Sequence, residues 1–293
     1  MLPETFTPRY LRQLELLKIR TQRAFLGTRQ GGHLSLKRGH GIEFSDYRKY
    51  ELGDNPRHID WGVYGRSERL YVKRFQEEQD LPVLLVVDNT RSMHEPELGR
   101  KWKMAKEVCL SLAYVALMQH DTVRLCVPGS FVSPSYYGGR AIHQISQDLE
   151  KLSPASEDDF LFGIRQGLST FRFPGVAIFL SDFLMPLETV ETMMNMLRAK
   201  NLDITALQVL GRSDVTPLPD TQDAIVIDSE TNEEIELRFD ASVRDEYEHL
   251  LSRHIDTLRT FLSQAGIAFD QVIADEDLAV FMLDSLTKKG LLQ

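Results

Sequence analysis

A short apolar run that ends abruptly in polar residues is the feature that constrains this fold most. Residues Pro82–Val87 read PVLLVV, and the residues that follow, from Asp88 to Ser92, are all polar. An apolar run of this length predicts a strand buried on both faces, as in a parallel sheet covered by helices. Open α/β sheets place their ligand sites at the carboxyl ends of strands, where these polar residues fall. The stretch therefore predicts an α/β fold and the position of a site.

The polar residues after this strand have the chemistry of a site for a hard cation. Asp88, Thr90 and Ser92 are spaced by two, so their side chains converge if the loop is extended. One carboxylate and two hydroxyls offer the oxygen ligands that Mg²⁺ accepts. A later apolar strand ends in Ser181-Asp182, and if the two strands are neighbours, both carboxylates emerge at one sheet edge. Taken alone, an Asp-x-Thr-x-Ser loop is also explained by capping of the next helix.

Strands and helices alternate from residue 81 onwards. Helices are predicted between the core strands, which we place at residues 82–88, 121–127, 174–180, 203–210 and 267–273. This alternation implies right-handed crossovers and a mostly parallel sheet. A closing helix is predicted over residues 276–286, and one or two amphipathic helices over residues 6–30. We expect an α/β domain at residues 81–293, preceded at residues 1–80 by a segment of helix, short strands and loops.

Composition and charge argue against several classes of function. The net charge is −9, yet residues 1–80 hold 15 Lys and Arg against 11 Asp and Glu, so the acidic excess lies in the remainder. An acidic surface argues against nucleic-acid binding. No apolar segment approaches the roughly 20 residues of a membrane span, and residues 1–20 lack the apolar core of a secretory signal. Cys109 and Cys126 are expected to be buried thiols. We expect a cytoplasmic protein without a membrane span.

Several motifs follow one another in an order that resembles a bacterial protein family. They are Glu43-Phe44, Arg48-Lys49-Tyr50, Gly53-Asp54-Asn55-Pro56-Arg57-His58-Ile59-Asp60-Trp61 and the loop Asp88–Met93. Over roughly residues 30–290 the chain resembles the bacterial domain of unknown function 58 family. Its polar loop also resembles the metal-ion-dependent adhesion site of von Willebrand factor A domains. The resemblance implies a von Willebrand factor A-like (Rossmann-like) α/β domain with a mostly parallel sheet covered by helices, and an N-terminal α+β extension.

The same resemblance implies the ligands of a cation, Mg²⁺ or Mn²⁺. These ligands are the hydroxyls of Thr90 and Ser92 and, directly or through water, the carboxylates of Asp88 and Asp182. The family usually adds a threonine from an intermediate loop, but residues 156–160 here read SEDDF. Asp158 or Asp159 would take that place, or Ser156 would substitute. The departure either supplies a third carboxylate or marks a site that has lost its metal.

The N-terminal motif supplies a second group of candidate residues, as an interaction or structural motif. They are Glu43, Arg48, Tyr50, Asp54, Arg57, Asp60 and Trp61. Arg48, Asp54, Arg57 and Asp60 are expected to form a salt-bridge network that holds the first 80 residues to the α/β domain. Phe44 and Trp61 are expected in a core.

Protein–protein interaction is the function that these features favour. Two protein carboxylates leave a coordination position of Mg²⁺ open, and an Asp or Glu of a partner can complete the shell. The family resemblance implies a partner of the MoxR-type AAA+ ATPase class. It also implies an adaptor role in the assembly or maturation of client proteins. The client and the oligomeric state are left open by the sequence.

Enzyme signatures are sparse. The chain has no Gly-x-x-x-x-Gly-Lys-Ser/Thr loop, no Gly-x-Gly-x-x-Gly after a strand and no Gly-x-Ser-x-Gly elbow. The main alternative is a Mg²⁺-dependent phosphohydrolase with Asp88 as nucleophile. Thr90 would then stand where such enzymes have a general acid, and a hydroxyl cannot do that work at neutral pH. A two-metal nuclease would draw on Asp88, Asp158, Asp159 and Asp182 but would lack a basic groove for its substrate.

Overall fold

The chain forms two compact units in the structure, which is a computed structural model. It describes residues 2–21, 30–39, 43–52, 54–94, 99–155, 160–171, 175–216, 224–227, 234–237 and 241–293. Residues 1–22 and 82–293 make up what we call the large unit, and residues 23–81 the small unit. The first residues of the chain, which the sequence places in the N-terminal segment, are thus grouped with the α/β part.

Helices and strands alternate along most of the described chain. The helices are α1 Pro8–Leu14, α2 Trp61–Ser67, α3 Arg91–His94, α4 Arg100–Met118, α5 Ala141–Glu150, α6 Phe160–Thr170, α7 Leu187–Ala199, α8 Arg212–Val215, α9 Ala241–Gln264, α10 Leu278–Val280 and α11 Leu286–Lys288. The strands are β1 Gln30–Gly39, β2 Glu43–Lys49, β3 Tyr71–Gln79, β4 Pro82–Val87, β5 Thr122–Val127, β6 Phe131–Val132, β7 Val176–Ser181, β8 Asp203–Leu210, β9 Ala224–Ile227, β10 Glu234–Leu237 and β11 Ala268–Ile273.

A six-stranded sheet is the centre of the large unit, with the order β11-β8-β7-β4-β5-β6. All neighbouring strands are parallel except β6, which pairs antiparallel with β5. The predicted α/β class, a mostly parallel sheet flanked by helices, is therefore confirmed. If the six strands are renumbered in chain order, with β4 as strand 1, their order in the sheet is 3-2-1-4-5-6. After β4 the chain adds β5 and β6 on one side and then returns to add β7 on the other side of β4. The β4–β7 pair is thus the topological switch point, where such sheets place ligands.

The two strands at the switch point are the most deeply buried part of the sheet. Every residue of β4 and of β7 is buried, which explains their unbroken apolar sequences. Helix α4 is covered over almost its whole length, and a second apolar cluster forms around Phe179, Phe183 and Met193. At Gly175 a β-carbon would lie 2.1 Å from the carbonyl oxygen of Pro82, so only glycine allows β7 to start beside β4.

Two helices predicted from the sequence are shorter in the structure. Within residues 2–21 only Pro8–Leu14 is helical, because Lys18 and Arg20 form backbone hydrogen bonds with Gln293 and Leu291. The predicted closing helix is interrupted by a π-helical turn, Phe281–Ser285, between α10 and α11. Both differences come from contacts or backbone geometry that local periodicity does not encode. No helix in the described residues is long and apolar enough to cross a membrane.

The small unit is built on a three-stranded antiparallel sheet with the order β1-β3-β2. Between β2 and β3 the chain forms a 3₁₀ helix, Pro56–His58, and then α2. Asn55 caps the 3₁₀ helix, because its side-chain oxygen accepts a hydrogen bond from the Arg57 N–H at 3.1 Å. This part of the chain carries the densest sequence motif.

Candidate functional site

Asp88 joins the ends of the two central strands. Its N–H donates to the carbonyl oxygen of Leu180 at 2.8 Å, which extends the β4–β7 pairing by one residue. Its carboxylate is fully buried, and Ser181 donates its hydroxyl to Oδ2 at 2.6 Å. The other oxygen, Oδ1, accepts the Thr90 N–H at 2.9 Å and the Thr90 hydroxyl at 2.8 Å. Asp88 thereby fixes the strand end and the start of the loop together.

The structure brings Asp88, Thr90 and Ser92 together, although the chain enters α3 at Arg91 and is not an extended loop there. The Thr90 and Ser92 hydroxyl oxygens are 3.0 Å apart, and Thr90 also contacts Asp88. Thr90 is buried, whereas Ser92, in the first turn of α3, is only half-buried. The cluster is therefore closed on the side of Asp88 and reaches toward the surface at Ser92.

A neighbouring loop segment is attached to the same cluster. Thr90 forms a parallel β-bridge with Ala155, and the Ala155 N–H donates to the Asn89 carbonyl at 2.8 Å. The Asn89 amide donates to the Ser153 carbonyl at 2.5 Å, and His94 Nε2 lies 2.7 Å from Asn89 Oδ1. Ala155 precedes the predicted residues Ser156, Asp158 and Asp159, which lie outside the described residues. Their predicted role stays a prediction.

Asp182 is engaged by a buried lysine that sequence reasoning missed. Lys101, in the first turn of α4, places its ammonium 3.0 Å from Asp182 Oδ2 and 3.0 Å from Asp214 Oδ2. Its side chain is 3% exposed and that of Asp182 2%. The other oxygen of Asp182 accepts the Leu184 N–H at 3.2 Å. Both oxygens of this carboxylate therefore have protein partners.

Asp214 carries the signal that could have revealed this network. Strand β8, next to β7, also ends in a polar stretch, Gly211-Arg212-Ser213-Asp214. Asp214 Oδ2 accepts the Gly211 N–H at 2.8 Å, and its carbonyl accepts the Tyr247 hydroxyl at 2.9 Å. Three adjacent strand ends thus each supply a carboxylate. Lys101 has no comparable signal, because other basic residues surround it in the sequence.

The titratable groups of the cluster shift one another's pKa values. Burial, followed by the charge of Asp182, raises the pKa of Asp88 to about 7, although hydrogen bonds from Ser181 and Thr90 oppose the shift. Burial acts to lower the pKa of Lys101, but Asp182 and Asp214 outweigh it and raise the pKa. Lys101 offsets one of its two carboxylate partners, and Arg91, which lies between Thr90 and Ser92, adds an exposed positive charge beside the two hydroxyls.

The residues present fit a hard cation in part. The Thr90 and Ser92 hydroxyls and the Asp88 carboxylate are hard oxygen donors of the kind that Mg²⁺ accepts. Asp182 contributes charge, but its oxygens are already held by Lys101 and Leu184. Among the residues that the structure describes, no group of three or more His, Cys, Asp or Glu side chains is placed to hold a metal ion. A cation here would depend on the hydroxyl oxygens.

Two charged residues of the N-terminal motif, Arg48 and Asp54, form an ion pair within the small unit. Arg48 contacts Asp54 at 2.5 Å and Glu51 at 3.1 Å. Asp60 caps α2 by accepting the N–H groups of Gly62 at 2.9 Å and Val63 at 3.1 Å. These contacts give Asp54 and Asp60 a local structural role. Whether the motif also holds the two units together stays a prediction.

The other motif residues occupy varied positions. Tyr50 is half-buried, and its N–H donates to the Leu70 carbonyl at 3.0 Å. Arg57 is exposed. Trp61 is 62% exposed, so its predicted place in a core is wrong: it lies on the first turn of α2, a helix that buries none of its side chains. Glu43 and Phe44 lie in β2, and their side chains fall outside the described part of the chain.

Comparison with known proteins finds relatives along most of the chain. The sequence model of the family described as "Protein of unknown function DUF58" matches residues 46–257. An uncharacterized protein of Mycobacterium tuberculosis, Rv1480, is 25% identical over 264 residues, which cover 86% of this chain and 81% of that protein. Sequence similarity therefore extends across both units.

Among solved structures, similarity is weaker. The conserved hypothetical protein BatB from Bacteroides thetaiotaomicron aligns with a TM-score of 0.41 and 14% identity, covering 71% of this chain and 98% of that one. A von Willebrand factor type A structure from Catenulispora acidiphila aligns with a TM-score of 0.34 and 11% identity, covering 46% of this chain and 34% of that one. Both TM-scores are below 0.5, so the fold class follows from the strand order of the sheet itself.

Proposed function

This chain belongs to the family described as Protein of unknown function DUF58, and from that premise we propose that it is a non-enzymatic adaptor that binds another protein at the β4–β7 switch point. The observation that carries the proposal is the cluster of Asp88, Thr90 and Ser92, tied by hydrogen bonds at the place where α/β sheets bind ligands. The cluster is buried at Asp88 and half-buried at Ser92, and it carries hard oxygen donors of the kind that a divalent cation accepts.

The proposed contact depends on a divalent cation, Mg²⁺ or Mn²⁺. Thr90 and Ser92 would hold it through their hydroxyls, with Asp88 as the nearest carboxylate and Asp182 acting through its charge. Such a cation, when bound, supplies an open position for an Asp or Glu of the partner. Asp88 keeps both hydroxyls in place by anchoring the loop at Thr90, and Ser181 holds Asp88 in turn.

The partner class that we propose is a MoxR-type AAA+ ATPase, with this chain as adaptor in the assembly or maturation of client proteins. This step depends on the family resemblance of the sequence motifs and not on the geometry of the site. Its physical requirement is an acidic residue on the partner that reaches the exposed edge at Ser92. A charge-assisted contact of this kind is specific in geometry and is lost when the cation is removed.

A pull-down with a purified MoxR-type ATPase of the same organism tests the proposal. Binding is measured without nucleotide, in Mg²⁺ and in EDTA, so that the ATPase's own need for Mg²⁺ with ATP does not enter. We expect wild type to bind only in Mg²⁺ and Thr90→Val to bind in neither. Thr192→Val, which removes an exposed hydroxyl on α7, is the matched control. Binding that is equally strong in Mg²⁺ and in EDTA, and equally strong for wild type and Thr90→Val, would contradict the cation-dependent contact.

The alternative of a Mg²⁺-dependent phosphohydrolase is not favoured by the surroundings of Asp88. A nucleophilic carboxylate must be ionised and reachable by substrate. Asp88 is fully buried, both its oxygens accept hydrogen bonds, and burial together with Asp182 raises its pKa to about 7. The same features suit a residue that anchors a loop.

A further inference from the structure

A buried lysine lies at the beginning of α4. Lys101 is the second residue of this helix, and its side chain is 3% exposed. Neither feature favours an ammonium, because burial removes its hydration and the N-terminal end of a helix dipole is positive. A lysine is almost never fully buried unless it is paired. The position of Lys101 therefore depends on the groups that it contacts.

Those groups are two carboxylates that follow neighbouring strands. The Lys101 ammonium lies 3.0 Å from Asp182 Oδ2, after β7, and 3.0 Å from Asp214 Oδ2, in α8 after β8. The second oxygen of Asp182 accepts the Leu184 N–H at 3.2 Å. The Asp182 side chain is 2% exposed, so Lys101 and Leu184 engage both oxygens of a carboxylate that water hardly reaches.

Asp182 adjoins the candidate site. It directly follows Ser181, whose hydroxyl donates to Asp88 Oδ2 at 2.6 Å. Asp88 in turn accepts the Thr90 hydroxyl at 2.8 Å. The charge of Asp182 contributes to the raised pKa of Asp88, so the two carboxylates interact. Asp182 is thus a neighbour of the oxygen donors of the site, while its own Oδ2 is occupied by an ammonium.

We propose that Lys101 withholds Asp182 from a divalent cation at the cluster of Asp88, Thr90 and Ser92, and thereby lowers the affinity of the cluster for that cation. The inference rests on the proposed function, because it concerns the same cation site. The ammonium satisfies Asp182 Oδ2 and offsets its charge. Without the ammonium, Oδ2 would be a buried anionic oxygen that lacks its donor, and a divalent cation would supply the missing positive charge. Lys101 is therefore a built-in competitor of the cation.

Two arginines are also close in sequence to the cluster or to Lys101. Arg91, between Thr90 and Ser92, is exposed, and Arg100 pairs with Asp275 at 2.9 Å. Within the part of the chain that the structure describes, neither arginine forms an ion pair with Asp182. The proposed effect therefore belongs to the contact of Lys101 with Asp182, and its test must keep the net charge of the chain constant.

Two charge-balanced double variants provide that test. Lys101→Met with Asp214→Asn removes the ammonium and leaves Asp182, whereas Lys101→Met with Asp182→Asn removes both members of the pair. Each double variant loses one positive and one negative charge. The probe is Mn²⁺ alone at pH 8, and electron paramagnetic resonance measures its free concentration. We expect the first variant to bind Mn²⁺ about tenfold or more tightly than wild type, and the second to bind it no more tightly than wild type.

A single substitution replaces the double variants if circular dichroism shows that they do not fold. Lys101→Gln removes the charge but keeps a hydrogen-bond donor at this position. It should also bind Mn²⁺ about tenfold or more tightly than wild type. Lys103→Gln, at an exposed lysine of the same helix, is the matched control and should change the affinity by less than about twofold, because solvent and salt screen its charge.

The affinities separate this inference from the proposed function. If neither double variant binds Mn²⁺ more tightly than wild type, or if both do so by the same factor, Lys101 does not withhold Asp182 and the inference is overturned. Wild-type binding that Thr90→Val abolishes would then still support the cation site. Binding by Lys101→Met with Asp214→Asn but not by wild type supports the inference and contradicts cation binding by the wild-type chain alone. No binding by wild type or any variant contradicts both.

Discussion

Asp88 serves both the fold and the candidate site, because its hydrogen bonds connect the ends of β4 and β7 with the loop that follows β4. Its folded-state pKa is about 7, above the ordinary value of 3.8, because of burial and Asp182. Between about pH 4 and pH 7 the unfolded chain releases this proton while the native state keeps it. The contribution of Asp88 to native-state stability is therefore present at low pH and is lost as the pH rises through this range.

We expect Asp88→Asn to remove this pH dependence in metal-free protein. The wild type should lose stability on the order of a few kcal/mol between pH 4.5 and pH 7.5, whereas the variant should show a flatter profile. Urea unfolding at several pH values in EDTA measures both. Asp256→Asn, at an exposed aspartate of α9, is the control and should keep the wild-type slope. Equal slopes in Asp88→Asn and wild type would contradict the assignment.

The buried ammonium of Lys101 neutralises part of the charge of the neighbouring carboxylates, Asp182 and Asp214. Removing one partner of a buried ion pair costs about 3–5 kcal/mol, because the remaining charges stay buried. Lys101→Met should lower the free energy of unfolding by that amount, and adding Asp214→Asn should restore part of it. Lys103→Met, at an exposed lysine in the same helix, should change stability by less than about 0.5 kcal/mol. If chemical denaturation shows only a small change in the free energy of unfolding for Lys101→Met, the ammonium does not stabilise the native state.

The residues of this network show where sequence reasoning stops. Asp88, Thr90 and Ser92 are close in sequence, so a shared site was predictable, although the turn into α3 and not an extended loop brings them together. Lys101 meets Asp182 and Asp214 only because α4 packs at the ends of β7 and β8. Trp61 shows the opposite case, since an aromatic residue in a dense motif suggests a core and is in fact exposed.

At the scale of elements, buried strands were the most predictable part of the fold. Strands β4 and β8 lie within one residue of their predicted bounds, because burial on both faces dictates an apolar pattern. The segment after α1 was mispredicted for a different reason. Ile19 pairs with Leu292, and no local pattern signals a contact between residues so far apart in sequence.

Close packing between α6 and the end of β5 predicts that a substitution of Gly163 lowers the stability of the chain. A β-carbon there would lie 2.1 Å from the Gly129 nitrogen, so α6 could not approach the end of β5. Gly163→Ala should destabilise the chain by about 1–3 kcal/mol or more. Gly65→Ala in α2 is the matched control, because nothing lies within 4 Å of its added β-carbon. Thermal unfolding of both variants measures the difference, and equal midpoints would show that α6 can shift without cost.

In the molecule as a whole, the two units present different features. The large unit has the cluster of Asp88, Thr90 and Ser92 at a sheet switch point, and the small unit exposes the rings of Trp61 and Tyr64. Family membership was predictable from the order of the motifs, and the matched region from residue 46 to residue 257 includes both features.

Thermal unfolding with added cations tests directly whether a divalent cation binds at the ends of β4 and β7. Wild type, Thr90→Val and the control Thr192→Val are compared in EDTA, Mg²⁺ and Mn²⁺ at pH 8. A cation at about 100 times its Kd should stabilise wild type and the control by roughly 2.7 kcal/mol. It should leave Thr90→Val unchanged, because that variant lacks a hydroxyl ligand but keeps its shape. No cation effect on wild type, or an equal effect on Thr90→Val, would contradict a cation site at the ends of β4 and β7.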